Sequence, residues 1–397
     1  MHAVHFLSRW LSERAVIGHC ARLSALLKVV EAALAGGALS LTQLGRRRRG
    51  AAYEKHQIKA VDRLLGNRHL HREHDRVYAA LAEQVLSRID RPVVVVDWSD
   101  FEPGRRWAML KAAVPVGGRA LTLYERVFPF KRYNSPSAHR EFLDALHRVL
   151  PAGCRPIVVT DAGFRGPWFR QVERYGWDWL GRVRNGIKYL DDSDGRWRYS
   201  DSLYSRATPN VQHLGEVTLG RRSRYRSRLY LVRAYKSRVG RRPKRRRGIQ
   251  PNETMYRRLH RAPWLLATSL PHDATSAPRI KKLYASRMQI EETFRDVKSH
   301  RWGLGLRYCR CQSAERLQVL LLVAALATLA LWLAGLSARI RGISRHFQAN
   351  TERRRSVLSP VFVGRRLLLR EPTSLTDRLL TDALQLLQSL HFSVVNG

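Results

Sequence analysis

One run of 20 residues without a charge constrains this chain more than any other segment. Residues 317–336 read LQVLLLVAALATLALWLAGL. Such a run is long enough to cross a lipid bilayer as a helix. It is equally suited to a helix packed on all sides inside a large domain, and its five alanines favour close helix packing in either setting. The run alone leaves both alternatives open.

The charge of the chain indicates its partner. There are 72 Lys and Arg against 32 Asp and Glu, a formal net charge of +40. With 44% hydrophobic residues and 10 Trp the chain can bury a sizeable core, which excludes a disordered polybasic coil. Self-repulsion on this scale destabilises a compact protein unless a polyanion neutralises it. We therefore expect the partner to be DNA or RNA.

The cysteines and the N-terminus indicate the compartment. Four Cys are too few for a disulfide framework, and none forms a C-x-x-C pair of the zinc type. The first 27 residues mix charges into an apolar run and show no small-residue cleavage site, so they do not resemble a secretory signal. We expect a reducing, cytoplasmic location.

Helical patterns occupy the N-terminal part. Residues 23–34 and 40–44 predict two helices, and a third is expected over residues 53–65 with a basic turn, 46–49, before it. Three short helices with a basic corner resemble a helix-turn-helix bundle, which places one helix in the major groove of DNA. An ordinary helical bundle gives the same pattern, and only the charge favours DNA.

From residue 92 the pattern becomes α/β. Apolar and β-branched runs predict strands at 92–96, 107–116, 119–127, 156–160 and 177–183, with helices at 137–150 and 167–175. Gly117 and Gly118 indicate a hairpin turn. Asp97 and Asp161 directly follow two buried strands, so we expect a mixed sheet that carries an Asp at the carboxyl ends of both.

A basic region follows between residues 184 and 265. Arginines alternate over residues 222–228 and include Arg222, Arg224 and Arg226. If the segment were one strand, these side chains would all point to one face, where they could bind a row of phosphates. Residues 236–248 contain eight Lys or Arg and no acid, which predicts a basic loop. A solvated charged face is the alternative for both stretches, although neither contains an acid that balances it.

The segment 283–306 is predicted to be one amphipathic helix. At about 100° per residue, Tyr284, Arg287, Glu291 and Lys298 fall within one stripe of about 60°. A carboxylate among a phenol, a guanidinium and an ammonium suits a surface that meets both a metal ion and phosphates.

Asp97, Asp161 and Glu291 together offer three carboxylates. Phosphodiester cleavage is well served by two divalent cations roughly 3.5–4 Å apart, and carboxylates suit Mg²⁺. Each acid also has a structural explanation, because an Asp after a strand often caps a turn and Glu291 can pair with Arg287 or Arg295.

These residues carry a resemblance to a known family. The spacing Tyr284-x2-Arg287-x3-Glu291-x6-Lys298 resembles the YREK signature of the bacterial DDE transposases of the insertion-sequence-four family. Further segments are similar to the tetracycline-resistance-transposon branch of that family: VDRLLGNRHLHRE (61–73), VVDWSD (95–100), VVTDAGFRGPW (158–168), RMQIEETFRDVKS (287–299) and HFQANTERRRSVLS (346–359).

The resemblance implies a ribonuclease-H-like catalytic core with Asp97, Asp161 and Glu291 as its DDE triad, holding two Mg²⁺ ions that Mn²⁺ can replace. It implies contacts of Tyr284, Arg287 and Lys298 with the phosphates of the DNA end, to which we add Arg295. Trp264 matches a tryptophan that stacks on a flipped base, although its position equally suits a core residue at the start of a strand. The spacing favours Glu291 over Glu292, and Asp100 is the weaker alternative to Asp97.

The expected organisation has five parts. They are a helical DNA-binding domain (1–80), the first part of the core (90–184), a β-rich basic insertion (185–270), the second part of the core with the YREK helix (271–336) and a C-terminal helical region (337–397). The helix at 375–390 suits either dimerisation or the core.

The resemblance also indicates the function. It implies a cut-and-paste transposase that acts as a homodimer on double-stranded DNA, and it places residues 317–336 against the core sheet rather than in a membrane. A catalytically inactive, DNA-binding repressor is the alternative. An integral membrane protein is a third possibility that requires residues 317–336 to span the bilayer.

Overall fold

The computed structural model describes residues 2–396 except for 88, 102–105, 185, 193, 234–261, 274–275, 302, 353 and 371–374. The chain divides into two compact units. The first contains residues 1–156 and 286–397, and the second contains residues 157–285.

Strands predominate in the middle of the chain, whereas both ends are helical. In the described residues the helices are α1 (His2–Glu13), α2 (Cys20–Leu34), α3 (Leu41–Arg47), α4 (Glu54–Leu65), α5 (Arg68–Leu86), α6 (Pro136–Val149), α7 (Gly166–Arg174), α8 (Ser276–Ser286), α9 (Met288–Lys298), α10 (Ala314–Ile340), α11 (Pro360–Arg370) and α12 (Asp377–Asn396). The strands are β1 (Val93–Asp100), β2 (Trp107–Val116), β3 (Arg119–Pro129), β4 (Ile157–Thr160), β5 (Asp178–Val183), β6 (Lys188–Asp191), β7 (Arg196–Tyr199), β8 (Gln212–Leu219), β9 (Tyr225–Val232) and β10 (Trp264–Thr268).

In the first unit, β1, β2 and β3 pair antiparallel with β2 in the middle. The predicted hairpin turn is confirmed, since Gly117 and Gly118 have φ of 51° and 91°, where a side chain would be strained. The predicted end of the first strand is wrong. β1 continues three residues beyond Asp97 because Trp98, Ser99 and Asp100 still pair with β2.

The long apolar run forms most of α10, and the prediction of a buried helix is confirmed. By length and composition α10 could cross a membrane, but its most apolar stretch is completely buried inside the protein. It packs against α2, α5, α11, α12 and β3 of its own unit. Gly335 and Gly364 bring α10 and α11 into backbone contact, since a Cβ on Gly364 would lie 2.0 Å from the Leu331 carbonyl oxygen.

The N-terminal helices are more numerous than the three predicted. The predicted helices correspond to α2, α3 and α4, whereas α1 and α5 were not predicted. Ser40 and Asn67 cap α3 and α5 by accepting hydrogen bonds from backbone amides. α1, α2, α4 and α5 all contact α10, so these helices share the core of the first unit.

The C-terminal helix α12 also packs inside the first unit. It contacts α10, β2, α1 and α5, and its apolar side chains, such as Leu380 and Leu387, are buried. The His391 side chain hydrogen-bonds the Pro115 carbonyl at 3.1 Å, and burial lowers the pKa of His391 to about 4. These contacts favour the core helix over the dimer helix for this segment.

The second unit begins with a β-α-β element, in which β4 and β5 are parallel and α7 connects them. The sheet continues antiparallel from β5 through β10, β9, β8 and β6 to β7. The predicted order of strands and helices from 92 to 183 is therefore confirmed. The mixed, mostly antiparallel α/β architecture is consistent with the ribonuclease-H-like core that the resemblance implies.

The predicted arginine strand is wrong in its extent. β9 begins only at Tyr225, so Arg222 and Arg224 lie in the turn before it, where Arg224 has a positive φ of 33°. Arg226 and Arg228 lie on β9, and both pair with Glu216 of β8. An acid from a neighbouring strand therefore balances part of this stretch. The predicted basic loop at 236–248 lies outside the described residues.

The predicted helix over 283–306 is also wrong in its bounds. The chain forms two helices, α8 and α9, that are interrupted by a turn at Arg287. α9 ends at Lys298 because Ser299 has extended backbone angles, φ −68° and ψ 131°. The segment after it turns back towards α9 and contains one short 3₁₀ helix, Leu306–Tyr308.

Candidate active site

α9 is fixed to the edge of the three-stranded sheet in the first unit. Thr293 accepts a hydrogen bond from the Ala120 amide and donates one to the Ala120 carbonyl, both at 2.8 Å, and so binds both polar groups of one β3 residue. Arg119 donates to Asp296 at 2.7 Å. Burial raises the pKa of Asp296, and Arg119 opposes that rise. These contacts determine which face of α9 turns towards β1.

Arg287 connects two of the three predicted acids. Its guanidinium donates to Asp97 Oδ2 at 3.1 Å and to Glu291 Oε1 at 2.9 Å. The Arg287 side chain is only 10% exposed, whereas Glu291 is 47% exposed. Charge-assisted hydrogen bonds in a partly buried place are the stronger class of such contacts. The structure thus brings Asp97, Arg287 and Glu291 together. The helical spacing predicted that Arg287 and Glu291 share one face, whereas Asp97 was expected from the end of its strand.

The neighbouring acid, Glu292, has other partners. It pairs with Arg295 at 2.7 Å and with Arg119 of β3 at 3.7 Å, on the side of α9 that faces the sheet edge. Glu291 lines an open groove, to which Glu292 does not contribute. The geometry favours Glu291 for chemistry at this groove. The pairing of Glu291 with Arg287, the structural alternative considered for this acid, is present as well.

Lys298 is the last residue of α9. Its ammonium donates to Ser99 Oγ at 2.6 Å and to Asp100 Oδ1 at 3.1 Å. Burial lowers the pKa of Lys298, and the contact with Asp100 opposes that effect. Asp100 therefore serves as the partner of Lys298.

Aromatic packing supports the strand that carries Asp97. The Trp98 indole donates to His139 Nε2 at 3.1 Å, and its ring packs against Phe128 and Tyr133. Burial lowers the pKa of His139 to about 4, so the imidazole stays neutral near neutral pH and can accept this bond. The backbone amide of Trp98 donates to Asp97 Oδ1 at 2.8 Å, which orients the carboxylate.

Asp97, Glu291 and Lys298 line a groove of about 810 Å³. β1, α9 and the segment that follows α9 form its walls, and the exposed Arg295 belongs to it. Five lining residues after α9 were not predicted, namely Ser299, His300, Arg301, Arg307 and Tyr308. The glycines at 303 and 305 were the available signal, because they argue against a helix that continues to residue 306.

The remaining predicted residues lie in the second unit. Asp161 directly follows β4, as predicted, and its Oδ1 accepts from the Gly163 amide at 2.8 Å, which is the turn-capping contact offered as its alternative role. Trp264 begins β10, and its half-buried ring packs edge-on against Tyr284 at 5.0 Å. Tyr284 is 4% exposed. Arg222, Arg224 and Arg226 are exposed.

The chemistry of the groove fits a divalent cation. Asp97 and Glu291 offer hard oxygen ligands, and Mg²⁺ commonly takes only one or two carboxylates from a protein. Among the described residues, no three His, Cys, Asp or Glu side chains form a group placed to hold a metal ion. In the first unit the Arg287 guanidinium lies between the carboxylates of Asp97 and Glu291. The space between these two acids therefore favours a positive charge.

Comparison with known proteins identifies the family. The sequence profile of the family described as "Transposase DDE domain" matches residues 88–328, a range that contains Asp97, Asp161 and Glu291. No curated protein matches the chain significantly. Members of this family act on DNA and generally use divalent metal ions. Because the match covers more than half of the residues, the chain belongs to the DDE transposase family.

Proposed function

We propose that this protein is a cut-and-paste transposase that binds the inverted terminal repeats of its own insertion sequence, cleaves them and joins them to target DNA. One observation carries the proposal: Asp97 and Glu291, which line a basic groove together with Lys298, both pair with the Arg287 guanidinium. Acids for a metal and cations for phosphates are what phosphodiester cleavage and transfer require. The match to the family supports the same function.

Each residue has a role in the proposal. Asp97 and Glu291, with Asp161 as the third acid, would hold two Mg²⁺ ions, which Mn²⁺ can replace. When bound, such ions activate the attacking oxygen and stabilise the leaving one. Arg287 pairs with both Asp97 and Glu291 in the free chain. With Lys298, Arg295 and Tyr284 it would bind phosphates of the DNA end.

Further proposed contacts lie on the second unit. We propose that Trp264 stacks on a flipped base and that Arg222, Arg224 and Arg226 contact the DNA backbone. Stacking tolerates any sequence because every base has an aromatic face. The helices of residues 1–80 would bind the duplex of the terminal repeat, and the protein would work in the bacterial cytoplasm, at the nucleoid.

The proposed reaction has four steps at one site. Water nicks one strand at the element end, and the freed 3′-hydroxyl attacks the opposite strand, which closes a hairpin on the element end. A second water opens the hairpin, and the 3′-hydroxyl then attacks target DNA. Because every step transfers a phosphoryl group, positioning and electrostatics supply the catalysis. Two ends must be held together, which favours a homodimer.

The proposal is tested by incubating the purified protein with a labelled duplex that carries its element's end. We expect nicks and hairpins at that end on a denaturing gel with Mg²⁺, and intact DNA with a chelator. Specific end binding without cleavage under any divalent metal would instead identify an inactive descendant that acts as a repressor. Absence of specific binding would reject both functions.

The role of Lys298 gives a prediction for binding. Lys298→Met keeps the length of the side chain and removes its charge. Each phosphate contact contributes to the salt dependence of DNA affinity. We therefore expect the slope of log affinity against log salt to fall by about 1 in this variant. Fluorescence anisotropy at several salt concentrations, with a chelator present to prevent cleavage, measures the slope.

Arg148→Ala is the matched control for Lys298→Met, because Arg148 lies exposed near the end of α6 and outside the groove. The control is expected to keep the wild-type slope. Equal slopes for Lys298→Met and the wild type would remove Lys298 from the phosphate contacts.

A further inference from the structure

The groove contains an exposed aromatic ring that the reaction described above does not use. Tyr308 is 55% exposed and lines the groove with Asp97 and Glu291. Its ring meets the edge of His300, with 4.5 Å between the ring centroids. Large aromatic side chains gain free energy from burial, so a ring left open to solvent beside a catalytic groove is suited to covering a ligand.

The backbone that presents Tyr308 is held firmly to α9. The Leu304 amide donates to the Asp296 carbonyl at 2.9 Å, and the Gly305 amide donates to the Ser299 carbonyl at 2.9 Å. Asp296 lies in the last turn of α9, and Ser299 directly follows the helix. The carbonyl groups at the end of a helix have no partner within the helix, so these two bonds satisfy them. From the C-terminal region, Arg365 donates to the Gly303 carbonyl at 2.8 Å.

Steric constraints fix the same segment. A Cβ on Gly303 would lie 1.6 Å from the Asp296 carbonyl oxygen, so only glycine allows this close approach to α9. Gly305 has a φ of 66°, in the left-handed region. Leu306, two residues before Tyr308, is 1% exposed and anchors the 3₁₀ turn in the core. The backbone that presents the ring is thus preorganised, which reduces the entropy lost when a ligand binds.

Exposed arginines lie in the same segment as Tyr308. Arg301, Arg307 and Arg310 are exposed, and the first two line the groove with Tyr308. An aromatic ring flanked by arginines provides the two features that a single strand of nucleic acid needs, a stacking surface for a base and positive charge for its phosphates.

We infer that Tyr308 stacks on an unpaired nucleobase of the DNA strand that enters the groove. A paired base inside a duplex has both faces covered, so an exposed ring can stack only on a base that is flipped out or lies at a strand end. Strand cleavage and transfer next to Asp97 and Glu291 produce such bases. The inference rests on the proposed function, which places DNA in this groove.

The experiment compares three probes that share one short duplex: the blunt duplex, the duplex with a single-stranded thymidine tail, and the duplex with an abasic tail. Affinities are measured by fluorescence anisotropy with a chelator present. Wild-type protein is expected to bind the thymidine tail more tightly than the abasic tail. Tyr308→Ala is expected to remove this difference and to weaken binding of the thymidine tail about 5-fold to about 150-fold, with an unchanged salt slope because no charge is lost.

Two control variants accompany Tyr308→Ala. Tyr308→Phe keeps the aromatic face and is expected to keep the preference for the thymidine tail. Tyr199→Ala removes a tyrosine that is 54% exposed and lies outside the groove, and wild-type affinities are expected for it. Circular dichroism of each variant confirms that the chain is folded.

The outcomes separate this inference from the function on which it rests. The inference is overturned if wild-type protein binds both tails equally, or if Tyr308→Ala still prefers the thymidine tail. Equal weakening for all three probes would also overturn it, because a general loss of affinity is not stacking. If the wild-type protein shows no salt-dependent affinity for any of the probes, the proposed function itself fails.

Discussion

Asp97→Asn is expected to lower the rate of DNA end cleavage at least about a thousandfold and to leave end binding within about threefold of the wild type. Asparagine keeps the shape of the side chain and removes the charge that would hold a metal ion. Metal ions contribute several kcal/mol to transition-state stabilisation, and each 1.36 kcal/mol is about tenfold in rate. Single-turnover cleavage and an electrophoretic binding assay give the two values.

Asp100→Asn is the matched control for this variant. Asp100 ends the same strand, but its carboxylate pairs with Lys298 and its side chain is 49% exposed. We expect cleavage by Asp100→Asn to stay within about tenfold of the wild type, since Lys298 keeps its hydrogen bond to Ser99 and the introduced amide oxygen can still accept from it. The reverse order of effects would show that Asp100, the weaker alternative in the sequence, is the catalytic acid.

The local part of the candidate site could be predicted from the sequence. Helical spacing placed Arg287 and Glu291 on one face, and the structure pairs them at 2.9 Å. The buried valine run predicted a strand that leads to Asp97. These predictions succeed because residues four apart on a helix are neighbours and because a continuous β-branched run suits a buried strand.

Contacts between distant segments could not be predicted in this way. Lys298 lies on the expected face of α9, yet its partners, Ser99 and Asp100, are about 200 residues away in the chain. The predicted β1 ended too early because Trp98, Ser99 and Asp100 lack the β-branched pattern. Their strand conformation comes from pairing with β2, which is a property of the register and not of the segment itself.

The basic insertion shows the same limit. The alternation of arginines over 222–228 predicts one strand, but a turn with Arg224 at positive φ interrupts it. Glu216 lies opposite Arg228 in the register of β8 and β9, and a pattern in one segment cannot reveal an acid on another strand.

A buried ion pair beneath the site leads to the largest expected effect on stability. Lys111 of β2 and Glu125 of β3 lie opposite each other, are both 1% exposed, and place Nζ 3.0 Å from Oε2. Tyr78 donates to Glu125 Oε1 at 3.2 Å, and burial raises the pKa of that tyrosine, which therefore remains a donor. Lys111 also lies opposite Asp97 in the register of β1 and β2.

Lys111→Met is expected to lower the free energy of unfolding by about 3–5 kcal/mol, because it leaves the Glu125 carboxylate buried without its counter-charge. Urea unfolding followed by tryptophan fluorescence measures the loss. The Lys111 ammonium also lies 5.4 Å from the Phe294 ring of α9. End cleavage by the folded fraction of this variant is therefore expected to fall as well.

The double variant Lys111→Met, Glu125→Gln separates loss of the pair from loss of packing. The amide oxygen of the introduced glutamine can still accept from Tyr78, and no net charge remains buried, so most of the stability is expected to return. A positive coupling energy in this cycle identifies the ion pair as the cause. If the double variant is as unstable as Lys111→Met, the methionine side chain disturbs the sheet and the charge of Glu125 is not responsible. Recovery of stability without recovery of cleavage would show that the Lys111 ammonium, through Phe294, helps to position α9 and its acid at the groove.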